Sequence, residues 1–171
     1  MTPLYEAARP PLAFAAVLTA FTAAAPAHAG NASSSLSVNA TVTANCTVST
    51  SAVAFGSVNT LDGGNVDATG GITVTCTNGT GWSASAGAGA GSGASMATRK
   101  MVSGSNLLSY TLFTDASRTA VWGDGTGSTS QITSTGTGSG QSLTIYGRVF
   151  AGQASVPAGS YADTVSVTVT Y

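Results

Sequence analysis

Charge is nearly missing from this chain. Of 171 residues only five are Lys or Arg and six are Asp or Glu, for a net charge of −1. No basic patch exists, which excludes nucleic-acid binding driven by phosphate contacts. Histidine is scarcer still: His28 is the only one, and it lies in an amino-terminal stretch marked for removal. The remainder has no imidazole for a Ser–His–Asp or Cys–His arrangement. Past residue 29 there is no Glu, and the five carboxylates are the dispersed Asp62, Asp67, Asp115, Asp124 and Asp163. Asp62, Asp67 and Asp124 stand in "DGGNVD" and "WGDGTGS", which read as turns rather than as calcium loops closed by a bidentate Glu. The Gly-rich stretches lack the Lys and the following helix of a phosphate loop. With no nucleophile-and-base pair to name, the sequence predicts no enzyme, no cofactor, no metal and no small-molecule substrate. Trp82, Trp122, Tyr110 and Tyr146 could stack on a sugar, but in a small sandwich such aromatics belong to core or rim.

What is present begins with a leader. "PPLAFAAVLTAFTAAAP" is too short to span a membrane comfortably, and "AHA" at 27–29 matches a small-x-small cleavage signature. Residues 1–29 are therefore expected to be a signal peptide. The rest is about the size of one domain. Its two cysteines, Cys46 and Cys76, form an even pair in an exported chain and read as a disulfide. Low charge suits a subunit packed among copies of itself better than a free monomer.

No helical pattern of useful length occurs. Short apolar–polar alternations predict strands at 36–48, 53–58, 72–77, 82–86, 107–114, 142–149 and 164–171. Turn signals "DGGN", "ATGG", "TNGTG", "GDGTG" and "VPAG" separate them. Many short strands with Gly-rich turns point to an antiparallel sandwich or barrel. The run "GAGAGSGAS" at 87–95 looks silk-like, but it occurs once and reads as a flexible loop. In "SSSLSVNATVTANC", Leu36, Val38, Ala40 and Val42 alternate with polar residues. In "DTVSVTVTY", Val165, Val167, Val169 and Tyr171 share one face.

Four segments resemble the spore coat protein U-like family, which includes subunits of archaic, Csu-type chaperone–usher pili. They are "VNATVTANCTVS…AFG", "GGITVTCTNGT", "LSYTLFTDASRTAVWGDGTG" and "LTIYGRVFAGQASVPAGSYADTVSVTVTY". The resemblance implies an incomplete immunoglobulin-like antiparallel β-sandwich that lacks its last strand. A periplasmic chaperone fills that place first, and the amino-terminal strand of the next subunit then replaces it. On this chain it implies a donor strand within 30–43, carried by Leu36, Val38, Ala40 and Val42, and a pilin domain at 44–171. Cys46 and Cys76 correspond to the family's disulfide pair, and Val165, Val167, Val169 and Tyr171 to the strand bordering the open groove. The implied partners are further copies of the chain, related pilins, a periplasmic chaperone and an outer-membrane usher; the implied role is attachment and biofilm formation at the cell surface. Two other readings stay open: a self-complete secreted spore or cyst coat protein, and a secreted hydrolase.

Overall fold

The structure, a computed structural model, describes residues 28–171. The leader reading rests on residues 1–29 and so falls almost wholly outside the described residues. The chain divides into two units, Met1–Asn39 and Ala40–Tyr171. In the described part of the first, residues 28–39 form no strand and are exposed.

The second unit is all-β, with no helix. Its strands are β1 (Cys46–Ser51), β2 (Val66–Cys76), β3 (Gly81–Ala86), β4 (Arg99–Ser103), β5 (Asn106–Phe113), β6 (Val121–Trp122), β7 (Thr129–Ser130), β8 (Ile132–Thr135), β9 (Gln141–Val149) and β10 (Val167–Thr170). One sheet runs β1-β2-β9-β5-β6-β7, with β4 also paired to β5; the other runs β10-β3-β8. All pairings are antiparallel except the two-residue ladder between β6 and β7.

The period-2 alternation explains the long strands. Ile72, Val74 and Cys76 of β2, Leu108, Tyr110 and Leu112 of β5, and Ile145 and Val149 of β9 point inward from the first sheet. Trp82, Ala84 and Ala86 of β3 face them from the second. The two sheets are stitched together where β3 meets β6. There the Trp122 indole N–H donates to Ala84 O at 3.1 Å and Ala86 N–H to Gly123 O at 3.3 Å.

Several expectations need correction. The predicted strand at 36–48 begins only at Cys46, and residues 36–45 form no strand. The predicted strand at 53–58 is not a strand either. Val53, Phe55 and Val58 pack on the core from an irregular segment. Asp67 is not in a turn but within β2, where Arg148 donates to it from Nε at 2.8 Å and from Nη2 at 2.9 Å. The run at 87–95 is tied down by hydrogen bonds rather than free, as described below. Trp82, Trp122 and Tyr110 are core residues, and Tyr146 is half-buried beneath Arg118.

The segment 53–55 can lie flat on the first sheet because of glycine. A Cβ on Gly147 of β9 would stand 2.7 Å from Val53 Cγ1 and 2.8 Å from Phe55 Cζ. Gly147→Val is expected to destabilise the domain by about 1–3 kcal/mol through overpacking, read as a lower urea midpoint. An unchanged midpoint would mean that 53–55 does not approach so closely in solution.

Candidate functional site

An ordinary sandwich covers its core with strands on every side. Here one side is open. β1 is paired only to β2, and β10 only to β3, so each sheet presents an edge at the same flank. Between those edges lies a cavity of about 430 Å³. Its floor includes Ile72, Leu112 and Ile145, and its rims carry Thr50 on one side and Val165 and Val167 on the other. A second cavity of about 710 Å³ continues past the end of β10, between the 53–61 segment and Val156. Val53, Phe55, Met101 and Tyr161 line both and stand between them. At the far end the edges close together, where the Tyr171 hydroxyl donates to Asn45 Oδ1 at 3.4 Å.

The backbone at these edges has groups to spare. Ser166 O accepts from Gly87 N–H at 2.9 Å, and the register continues with Thr168 opposite Ser85 and Thr170 opposite Ser83. In an antiparallel ladder such bonds fall on alternate residues, so the N–H and C=O of Val165, Val167 and Val169 face the open flank. The same holds for β1. Asn45 O accepts from Thr77 N–H at 2.9 Å, which leaves the backbone groups of Cys46, Val48 and Thr50 facing away from β2. Unpaired strand edges over an apolar cleft are a template for another strand.

The residues singled out by the sequence fall as follows. Leu36, Val38 and Val42 are 89, 83 and 84% exposed, and Ala40 is exposed as well. Val165, Val167 and Val169 are half-buried against the core, and the first two line the cavity. Tyr171 lies beyond β10 and is largely exposed. Cys46 and Cys76 form a disulfide across the β1–β2 register, at a sequence separation of 30. It pins the edge strand to its sheet. Cys46→Ser is expected to cost about 3–4 kcal/mol on the loop-entropy estimate, measured by urea unfolding of the oxidised protein and the variant side by side. A change under about 1 kcal/mol would contradict that role.

Sequence reasoning missed the polar members of the site. Tyr110 on β5 donates its hydroxyl to Asp163 Oδ2 at 2.7 Å at the edge of the cavity. Burial pushes its titration well above the ordinary phenol range, with the Asp163 hydrogen bond adding to it. Arg99 is fully buried at the stitched side, with four backbone carbonyls as partners. No spacing rule announces either.

The other carboxylates serve the fold. The Ser117 hydroxyl, then the Ala120 N–H, hold Asp115 well below the usual carboxylate range in the β5–β6 turn. Asp124 is lowered by Thr126 in the next turn, and Asp67 by Arg148. Among the described residues no group of three or more His, Cys, Asp or Glu is placed to hold a metal ion. No helix among them is long and apolar enough to cross a membrane.

Fold and cleft together define an incomplete, immunoglobulin-like β-sandwich with one open flank. The chain belongs to the Spore Coat Protein U domain family, which matches residues 32–168. A similar fold occurs in the crystal structure of the CsuC–CsuE chaperone–tip adhesion subunit pre-assembly complex from archaic chaperone–usher Csu pili of Acinetobacter baumannii. The identity is 25% and the TM-score 0.55, over 77% of this chain and 40% of that one. This chain thus spans about two-fifths of the length of that neighbour. The comparison with curated proteins gives no match.

Proposed function

We propose that the protein is a structural subunit of an archaic chaperone–usher surface pilus that polymerises by donor-strand complementation. The observation that carries the reading is the cleft itself: core residues reached from outside between two unpaired strand edges. The occupant is residues 36–42 of a second copy. That segment has the right pattern, with Leu36, Val38, Ala40 and Val42 on one face, and its large apolar side chains are bare in the single chain. Extended, seven residues reach about 23 Å, the same span as Val165 to Tyr171 opposite. Each Leu or Val buried would contribute about 1.5–3 kcal/mol, with a backbone ladder to Val165, Val167 and Val169 adding specificity of register.

Family membership and the likeness to a chaperone-bound pilus subunit support the remaining parts of the reading. In it, residues 1–29 direct export, 30–43 donate and 44–171 form the accepting domain. A periplasmic chaperone covers the cleft before assembly, since a bare edge of this kind aggregates. An outer-membrane usher passes the subunit to a surface fibre serving attachment and biofilm formation. An unboiled denaturing gel of surface material tests this. A ladder of detergent-resistant multimers that collapses on boiling is expected. A single monomer band would replace the reading with a self-complete coat protein.

A further inference from the structure

The glycine-rich run at 87–95 and the carboxylate of Asp163 have a joint role. We infer that Asp163 is a positioning residue for the open edge, fixing where Val165 enters the cleft. This rests on the strand-accepting reading of the same site.

The geometry is specific. Asp163 Oδ1 accepts from Ala90 N–H and from Thr164 N–H, each at 2.8 Å. Oδ2 accepts from the Tyr110 hydroxyl at 2.7 Å. One carboxylate thus joins the glycine-rich run, the lead into β10 and the cleft floor on β5. It does so where the ladder leaves a gap. Ala162 is bonded to Val102 in both directions, at 2.8 and 3.1 Å, and Ser166 O to Gly87 N–H. Residues 163–165 lie between these anchors, outside any strand. Val165 follows directly, with its side chain in the cavity and its backbone groups toward the missing strand. A slip of one residue there would turn Val165 out and Ser166 in.

The run is shaped for this contact. Gly89 has φ +85°, and a Cβ on it would run into the Asp163 carboxylate. A Cβ on Gly91 would run into the Lys100 backbone. The small residues therefore let the loop close over the carboxylate, which accounts for a composition that looked like flexibility.

Substitutions separate the parts. Asp163→Ala removes all three bonds. Asp163→Asn keeps an oxygen in place of Oδ1, so both backbone N–H donors stay satisfied, and its amide group can donate to the Tyr110 oxygen. Tyr110→Phe removes one bond only. The experiment uses the full exported chain carrying Val38→Asp as acceptor in every arm, and a synthetic peptide of residues 33–45 as the probe. Asp163→Ala is expected to speed peptide dissociation about tenfold to a hundredfold. Asp163→Asn should stay within about twofold, and Tyr110→Phe should fall between them. A residue that merely stabilised the fold would lower the thermal midpoint and leave dissociation from the folded protein unchanged; that result would overturn the inference. So would an Asn variant as impaired as the Ala variant.

If the peptide fails to bind the parent acceptor, the strand-accepting reading falls instead. Amide hydrogen exchange then still decides the role of Asp163. The Ala variant should exchange about tenfold faster at Ala90 and Thr164, the two amides that the carboxylate holds. Unchanged exchange there would refute the assignment.

Discussion

Val38→Asp is expected to abolish fibres, while the subunit should still accumulate with the proposed chaperone. In the single chain Val38 is 83% exposed, so the substitution should shift subunit stability by no more than about 0.5 kcal/mol. In the neighbour's cleft the same carboxylate would lie over Ile72, Leu112 and Ile145 with no partner. An unpaired charge there costs several kcal/mol at the least, more than one buried valine contributes, so assembly is lost. Asn39→Asp is the control. The next residue of an extended segment points to the opposite face, so this charge stays in water and fibres persist. The unboiled gel and electron microscopy of the cell surface read both. Normal fibres from Val38→Asp, or loss from both variants alike, would remove residues 36–42 from the donor role.

Arg99→Met is expected to destabilise the domain by about 3–5 kcal/mol. The guanidinium has no solvent exposure. Its Nε donates to Gly87 O at 2.9 Å, Nη1 to Met96 O at 2.7 Å, and Nη2 to Trp122 O at 2.7 Å and Ala86 O at 3.3 Å. Burial pulls its titration downward, but an arginine remains charged. One cation therefore satisfies carbonyls from the end of β3, the glycine-rich run and β6, and so clamps the two sheets at the stitched side. Methionine fills the space and leaves those carbonyls orphaned, each at about 1–3 kcal/mol before relaxation. Against a domain stability of about 5–15 kcal/mol this is a large fraction. Arg99→Lys should fall between, because three donors on one nitrogen cannot span four carbonyls in separate segments. The urea midpoint measures both. A loss under about 1 kcal/mol for Arg99→Met would show that water replaces the clamp.

Three long strands were legible almost to the residue. The expected 82–86, 107–114 and 142–149 are Gly81–Ala86, Asn106–Phe113 and Gln141–Val149. Each buries one face on the opposite sheet, and burial of one face is what alternation records. β4 escaped notice because the first of its inward positions, ahead of Met101, is Arg99, a charge where the pattern asks for an apolar residue. β6, β7 and β8 have two to four residues, too few for alternation to emerge. The alternation at 36–42 is genuine but marks no ladder among the described residues. A period says that a face will be covered, not by which molecule. Of the cleft, Val165 and Val167 were visible as alternating residues. Phe55, Met101 and Tyr161 were not, since they come from three segments that no local pattern connects. Asp163 was hidden for the same reason: its three donors are Ala90, Tyr110 and Thr164, and only the fold brings them together.

The most direct test is an electron cryomicroscopy map of the assembled fibre at side-chain resolution. Density for residues 36–42 of one molecule should run between β1 and β10 of the next, bonded to the backbone of Val165, Val167 and Val169, with Leu36, Val38, Ala40 and Val42 turned into the cleft. A map in which that space is filled by the molecule's own amino-terminal segment, or left empty, would contradict the account.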